Sequence, residues 1–466
     1  MTTLSKGQRP QKATLPDNWP AEARSLLALG VPMALTQLAA FAVYTVDVLM
    51  IGRISPEDLA AASLGTVIYF ALWMVGAGPV MAVSPLVSQA LGADQNDTRD
   101  VRRSVRMALW VIFMMFPVIL GALSLTEPVA LALGQDPIVS AKAADYVLAL
   151  AFGLPFALAI MALRNFLAAL GKTSIPLLLV VATTLINAGL NYIFIFGNFG
   201  APRLELVGAG IASSLSYAIG FFLFVVYIMT DKQGRTFHLF HRFWVSDWPR
   251  FREVVNLGWP ISMTTIFEGM LFNSAVILMG LIGIMEMAAY QVSLNVVALA
   301  FMLPWGLSMA GAVRIGLAKG AGDIAATKRV ASVTIVVSIA SIIALAIPIA
   351  YFPHTVAAFY LDLNDPKNSA VIDLIIVFLP IAAAFMVFDA AQVAANQLLR
   401  GLKDVRWPML LSGVSYWLIG FPVAAILGLY TSFGAAGIWY GLMAGLIAAT
   451  ILLGGRLWWL AWREST

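Results

Sequence analysis

Twelve mostly apolar stretches, each about twenty residues or longer, alternate with short polar segments along the chain. They lie near 27–51, 59–84, 106–126, 146–169, 175–197, 207–229, 255–280, 288–313, 330–352, 371–398, 408–429 and 434–460. A helix needs about 20 apolar residues to cross a hydrocarbon core. The pattern therefore predicts an all-α polytopic membrane protein with twelve spans. Three carboxylates interrupt it: Asp47 in the outer half of span 1, Glu268 mid-way along span 7 and Asp389 mid-way along span 10. An ionisable group at membrane depth costs about 2.5–3.5 kcal/mol on insertion scales and usually faces a protein interior or an ion path.

Composition agrees with the spans. Only 11% of the 466 residues are charged, against about 25% in a soluble domain. The net charge of +4 reports topology rather than nucleic-acid binding. With the N-terminus inside, all but four of the 28 Lys and Arg residues fall on the inner side. The exceptions are Arg53, Lys142, Arg203 and Lys367. That asymmetry is the positive-inside rule, and it places both termini in the cytoplasm. The first 27 residues are polar, with no short apolar core before a small-residue site, so no cleaved signal peptide is expected.

The two halves repeat. Leu29-Gly30-Val31-Pro32 recurs as Leu257-Gly258-Trp259-Pro260, 228 residues later. At the same offset Gly52 meets Gly280, Gly78 meets Gly306, Ala90 meets Ala318 and Gly92 meets Gly320. The expected organisation is a tail (1–26), an N-lobe of six spans (27–229), an inter-lobe loop (230–254), a C-lobe of six spans (255–460) and a second tail (461–466). Six spans per half make a parallel, pseudo-twofold repeat, an architecture suited to alternating access. Pro32 and Pro260 occupy equivalent positions inside their spans and are candidate hinges.

Polar residues accompany the acids. Asp389, Gln392, Asn396 and Arg400 share one face of span 10. Asn187 and Asn191 stand one turn apart on span 5, and Gln291 and Asn295 do so on span 8 beside Tyr290. Buried amides also serve as interhelical glue. A structural role for the three carboxylates would need a basic partner, and none is expected at midplane depth. Aromatic and thioether side chains near the acids, Phe267, Met270, Phe385 and Phe388 among them, suit lipophilic organic cations.

Other chemistry is excluded or unsupported. No cysteine is present, which removes disulfides and thiolate metal sites. His238 and His241 sit at i, i+3 in a loop without an acidic partner, so no metal is expected. Gly171-Lys172-Thr173 resembles the end of a phosphate-binding loop, but Phe166 stands where its first glycine belongs. ATP hydrolysis, and enzymatic activity in general, is not expected, so energy should come from an ion gradient.

Val46-Asp47-Val48-Leu49-Met50-Ile51-Gly52-Arg53 resembles a signature of the MATE family of multidrug and toxic-compound extrusion antiporters. Ala289-Tyr290-Gln291-Val292-Ser293-Leu294-Asn295, Leu399-Arg400-Gly401-Leu402-Lys403-Asp404, Phe267-Glu268 and Phe388-Asp389-Ala390 extend the likeness to its bacterial NorM-like branch. The resemblance implies two six-helix lobes in a V shape. It implies a monomer of the bacterial inner membrane, without cofactor, exchanging H⁺ or Na⁺ for cationic amphiphilic drugs and dyes. By position, Glu268 and Asp389 match a C-lobe cation site, and Asp47, Asn187 and Asn191 match an N-lobe polar site. Tyr290, Gln291, Asn295, Phe385 and Gln392 match substrate or cation contacts. Asn191 replaces an acid of the DinF-like branch, which departs from a two-aspartate N-lobe proton site, and Phe385 replaces a Tyr found in some Na⁺-coupled members, a lost oxygen that favours H⁺. The alternative is a lipid-linked precursor flippase of the same superfamily. Flippases tend to line the cavity with basic groups, whereas the membrane-depth charges here are acidic.

Overall fold

The computed structural model describes residues 11–363 and 365–463. Lys6 and Arg9 of the N-terminal tail, and residues 464–466 of the C-terminal tail, lie outside the described residues. The first half holds α1 (Trp19–Ile51), α2 (Pro56–Met81), α3 (Val83–Ala93), α4 (Thr98–Leu123), α5 (Thr126–Ala132), α6 (Pro137–Ala151), α7 (Leu154–Ala169), α8 (Ser174–Phe196) and α9 (Glu205–Thr230). The second holds α10 (Trp248–Ile282), α11 (Ile284–Ala321), α12 (Ile324–Tyr351), α13 (Pro353–Ala358), α14 (Ser369–Gly401), α15 (Arg406–Gly413), α16 (Phe421–Leu429) and α17 (Gly434–Trp458).

Local chemistry starts and stops these helices. Asn18 caps α1 by accepting from the Ala21 amide at 2.9 Å, with Pro20 in the first turn. Asp323 caps α12 through the Ala326 amide at 2.8 Å. Such caps satisfy donors that have no partner within the helix. α8 ends at Gly197, whose φ of +73° costs glycine nothing.

Among the described residues, eleven helical segments are long and apolar enough to span a membrane, and the pair α6–α7 supplies a twelfth. The match to twelve expected spans is close, with two differences. Span 4 is not straight but bends by 45° between α6 and α7. Pro155 lacks the amide that would continue the helix there, and Gly153 lies so close to Ser214 that an added Cβ would sit 2.7 Å from its Cα. Span 11 is not uniformly α-helical, since residues Val414–Gly420 form a π-helical stretch between α15 and α16. Pro422 leaves the Leu418 carbonyl without its α-helical donor, which loosens this turn. α1 and α10 also start earlier than expected, within the supposed tail and inter-lobe loop.

Buried side chains fall into two cores. Leu86, Val105, Leu158, Phe166 and Phe224 belong to one, centred on α1–α9. Leu271, Phe378, Phe385, Tyr416 and Trp439 belong to the other, within α10–α17. The first core also takes in Ile261 of α10, Ala310 and Val313 of α11 and Val333 of α12, so it runs across the contact between the two halves of the chain. The lobes meet where α1 packs on α11 and α2 on α10, two crossings related by the 228-residue repeat.

The seam between them repeats in atomic detail. A Cβ on Gly78 would lie 2.2 Å from the Ser262 hydroxyl oxygen and 2.6 Å from its amide nitrogen. A Cβ on Gly306 would lie 2.3 Å from the amide nitrogen of Ala34. Ala34 and Ser262 are themselves 228 apart, so these are one contact made twice. Deeper at the same end, a Cβ on Gly92 would meet the Leu317 carbonyl oxygen at 2.2 Å, and one on Gly320 would meet the Gln89 carbonyl oxygen at 2.1 Å. Small residues let membrane helices approach backbone to backbone.

Polar contacts reinforce this end of the bundle. Glu22 and Arg314 form a buried bidentate ion pair between α1 and α11, with one bond at 2.7 Å. The Gln89 side-chain amide donates to the Gly401 carbonyl at 2.8 Å. Arg103 of α4 is bonded to Asp247, and Arg250 of α10 reaches Asp100 at 3.0 Å. The lobes are thus closed at the end where the described chain begins and ends. Asp247 lies outside the spans. The Arg103 guanidinium that hydrogen-bonds it holds its carboxyl below the usual aspartate value.

Two expectations follow for spin labels placed at Asn96→Cys and Lys319→Cys in this cysteine-free chain. Gly92→Val should shift their distance distribution outward at all pH values. An unchanged distribution would mean that the glycine does not set the approach. With Asp47→Asn, Glu268→Gln and Asp389→Asn in place, so that the membrane-depth acids no longer titrate, the distribution should stay flat from pH 8 to about pH 5. A lowered folded-state pKa contributes stability above the ordinary value of about 3.9 and loses it only as pH falls through the lower folded value. Opening between pH 7 and pH 5 would contradict the Asp247 assignment.

Candidate coupling sites in the two lobes

In the C-lobe, α10 brings in Glu268, α14 brings in Asp389 and Gln392, and the π-helical stretch brings in Tyr416. Asp389 and Gln392 lie one turn apart on one face of α14, as their spacing requires. The Gln392 side-chain nitrogen donates to Glu268 Oε1 at 3.0 Å and to Asp389 Oδ1 at 3.1 Å. Its carbonyl oxygen accepts from the Tyr416 hydroxyl at 3.0 Å. One amide therefore spends both N–H groups on two carboxylates. Both acceptor oxygens therefore lie within hydrogen-bond reach of the same nitrogen. Asp389, Gln392 and Tyr416 are buried, while Glu268 is half-buried. Behind them Phe385 packs edge-on against Phe272 and Trp439, with ring centroids at 6.0 and 5.5 Å.

In the N-lobe, α1 supplies Asp47, α8 supplies Asn187 and Asn191, and α9 supplies Ser213 and Ser216. Asp47 Oδ1 accepts from the Asn191 amide at 2.5 Å, and Oδ2 accepts from the Ser213 hydroxyl at 3.0 Å. Asn191 also donates to Asn187 Oδ1 at 3.2 Å, and Asn187 donates to Ser213 Oγ at 3.1 Å. All of these side chains are buried, and Asn191 Oδ1 has no partner.

The structure thus unites Glu268, Asp389 and Gln392 in one place and Asp47, Asn187 and Asn191 in another. It does not bring the other expected residues to either cluster. Tyr290 is fully buried against Trp439, with ring centroids 5.1 Å apart and a hydroxyl that has no partner. Phe385 is equally buried. In this conformation neither ring has surface to offer a substrate. Asn295 is exposed and accepts from the Tyr360 hydroxyl at 3.0 Å, and Gln291 is exposed on the same helix. The expected absence of interior basic groups also needs correction. Arg164 lies inside α7 rather than in a loop and donates to Gln37 of α1, and Arg400, buried near the end of α14, lies near enough to Glu268 for the two charges to interact.

Three partners escaped the sequence reading. Ser213 and Ser216 belong to the polar run Ser213-Ser214-Leu215-Ser216-Tyr217 inside an apolar span, a legible signal. Tyr416 offers no such signal, because its direction depends on the π-helical register.

The MatE family model matches residues 32–193 and 260–426. The chain belongs to the MatE family. The two matched stretches begin 228 residues apart, at the repeat-equivalent Pro32 and Pro260. This MatE chain is 40% identical over 449 residues to the "Probable multidrug resistance protein NorM" of Rhizobium meliloti, covering 96% of each. It is 38% identical to the protein of the same name from Mesorhizobium japonicum, covering 95% of each. Its fold is similar to that of the eukaryotic MATE transporter AtDTX14, with a TM-score of 0.83 at 19% identity, over 96% of this chain and 99% of that one. A MATE transporter in a straight conformation gives the same TM-score at 18% identity, over 94% and 96%. The MatE chain is thus a multi-pass membrane protein with the MATE transporter fold.

The C-lobe geometry ranks two substitutions. Gln392→Leu removes the donor shared by two carboxylates and strands the Tyr416 hydroxyl, at about 1–3 kcal/mol per unsatisfied buried group. Tyr416→Phe removes one hydroxyl and leaves one acceptor open. Thermal unfolding in detergent should therefore rank parent above Tyr416→Phe above Gln392→Leu. The reverse order would show that Gln392 does not hold the pair.

Proposed function

We propose that this MatE chain is a secondary multidrug antiporter of the bacterial plasma membrane. In this reading it works as a monomer with both termini cytoplasmic and exports cationic amphiphilic compounds in exchange for H⁺. Glu268 and Asp389 form the coupling pair, and Asp47 is a separate N-lobe acid. The names of its relatives support the substrate class.

The observation that carries the reading is the single Gln392 amide shared by two carboxylates. Two full negative charges whose oxygens share one nitrogen can stand no farther apart than those two bonds end to end, and they then repel by roughly 3 kcal/mol or more at an effective dielectric of 20. Binding one proton removes that repulsion, and so does binding one organic cation. The two ligands therefore compete for one pair, which is the requirement for exchange.

The surroundings favour H⁺ over Na⁺. A hard cation takes several oxygen ligands. Gln392 turns its N–H groups toward the pair and commits its carbonyl to Tyr416, so it offers no neutral oxygen. With the basic loops inside, the closed end faces the cytoplasm.

Reconstituted vesicles test this. An imposed pH gradient should drive dye export without Na⁺, and Glu268→Gln or Asp389→Asn should abolish it while the protein stays folded in the membrane. Export that needs Na⁺ would overturn the proton assignment. Parent-like rates in both variants would overturn the pair.

A further inference from the structure

A concavity remote from the acids lies at the closed end of the bundle. It has a volume of about 520 Å³ and sits between the first turns of α10 and the junction of α14 with α15. Arg252, Glu253, Lys403, Asp404, Arg406 and Trp407 are among its lining residues. Both carboxylates are already engaged. Glu253 pairs with Arg250 at 2.8 Å and Lys403 at 3.6 Å, and Asp404 pairs with Arg456 at 2.7 Å. Arg252 and Arg406 are exposed and have no ion pair or hydrogen bond among the described residues. The wall thus presents positive charge that the protein does not neutralise.

The rim has the character of a membrane interface. The Arg456 guanidinium lies 5.4 Å from the Trp407 ring centroid and 4.7 Å from that of Trp459. Tryptophan marks the headgroup level of membrane proteins. Trp407 is 52% exposed, and Leu410, one turn further along α15, is 54% exposed. The cavity therefore combines free cations with an apolar surface leading away from them. A ligand that fits both is an anion carrying an apolar tail.

We propose that this cavity binds the phosphate headgroup of an anionic phospholipid, with Arg252 and Arg406 on the phosphate and Lys403 beside them. Basic pockets between membrane helices hold such headgroups. The site lies next to Arg250, which ties α10 to Asp100 of the other lobe. A headgroup there would brace the closed end. The proposal stands whether or not protons drive transport.

The test is native mass spectrometry of the detergent-purified protein, titrated with phosphatidylglycerol or phosphatidylcholine. The parent should retain one phosphatidylglycerol in preference to phosphatidylcholine. Arg252→Gln/Arg406→Gln should weaken that retention about tenfold or more, and Arg252→Lys/Arg406→Lys should restore most of it. Arg99→Gln/Arg102→Gln, at the same end but outside the cavity, should change nothing. Low-millimolar inorganic phosphate should not displace the lipid. Equal loss in the Arg99/Arg102 variant would mean diffuse surface attraction, and displacement by phosphate would mean a soluble anion site. Either result, or full retention in the glutamine variant, would overturn the proposal. If the double glutamine variant fails to fold, Arg406→Gln alone, at an exposed position, should still weaken retention.

Discussion

The close approach of two backbones along the inter-lobe seam is the constraint on which the rest of this structure depends. Gly78 and Gly306 leave no room for a side chain against the opposite lobe, and neither do Gly92 and Gly320. A methyl group at any of these positions would force the lobes apart. The contact is made twice because each lobe presents the same surface to the other, as a twofold relation requires. The Glu22–Arg314 pair lies beside this contact without a repeat-equivalent copy, since Arg250 and Leu86 occupy the matching positions. Its buried charges are compensated only while the lobes touch, and a lone buried charge costs several kcal/mol. Closure at this end is therefore cooperative: the glycines permit the approach, and the ion pair penalises partial separation.

With the seam twofold, the acids are free to differ. Position 275, the equivalent of Asp47, is Ala, and position 40, the equivalent of Glu268, is also Ala. Each lobe builds its polar site from a different pair of partners. Asp47 is held by neutral amides and hydroxyls from α8 and α9, so it is a single charge in a shell of donors. Glu268 and Asp389 are two charges around one donor. The first arrangement stabilises the charge it holds, while the second leaves repulsion for a ligand to relieve. Both nonetheless recruit the fifth span of their lobe. Tyr416 stands 229 positions after Asn187, and the π-helical turn swings it onto Gln392.

The family match extends this asymmetry beyond one chain only at the level of fold. The two matched stretches map onto the two lobes and begin at equivalent prolines. The solved MATE structures share the architecture at 17–19% identity. That likeness fixes where spans cross, while the donors around each acid belong to this chain's own side chains.

Much was legible in the residues alone. The span count follows from apolar length, and the two-lobe repeat follows from matched glycines and prolines. The pairing of Asp389 with Gln392 follows from helical spacing, because a three-residue step stays on one face. Chain periodicity carries such local relations, and a bilayer allows few alternatives to a helix. Relations between helices were not legible. That Gln392 reaches across to Glu268, that Ser213 caps Asp47, and that Tyr290 and Phe385 turn inward toward Trp439 all depend on how helices rotate against one another. The bend between α6 and α7 and the π-helical stretch before α16 change those rotations; Pro155 and Pro422 mark where the helices break, but not which way the side chains beyond them turn. The sequence by itself determined which segments enter the membrane and which charges enter with them. Tertiary packing decided which of those charges meet, because a helix rotates as a unit and only its neighbours set the angle.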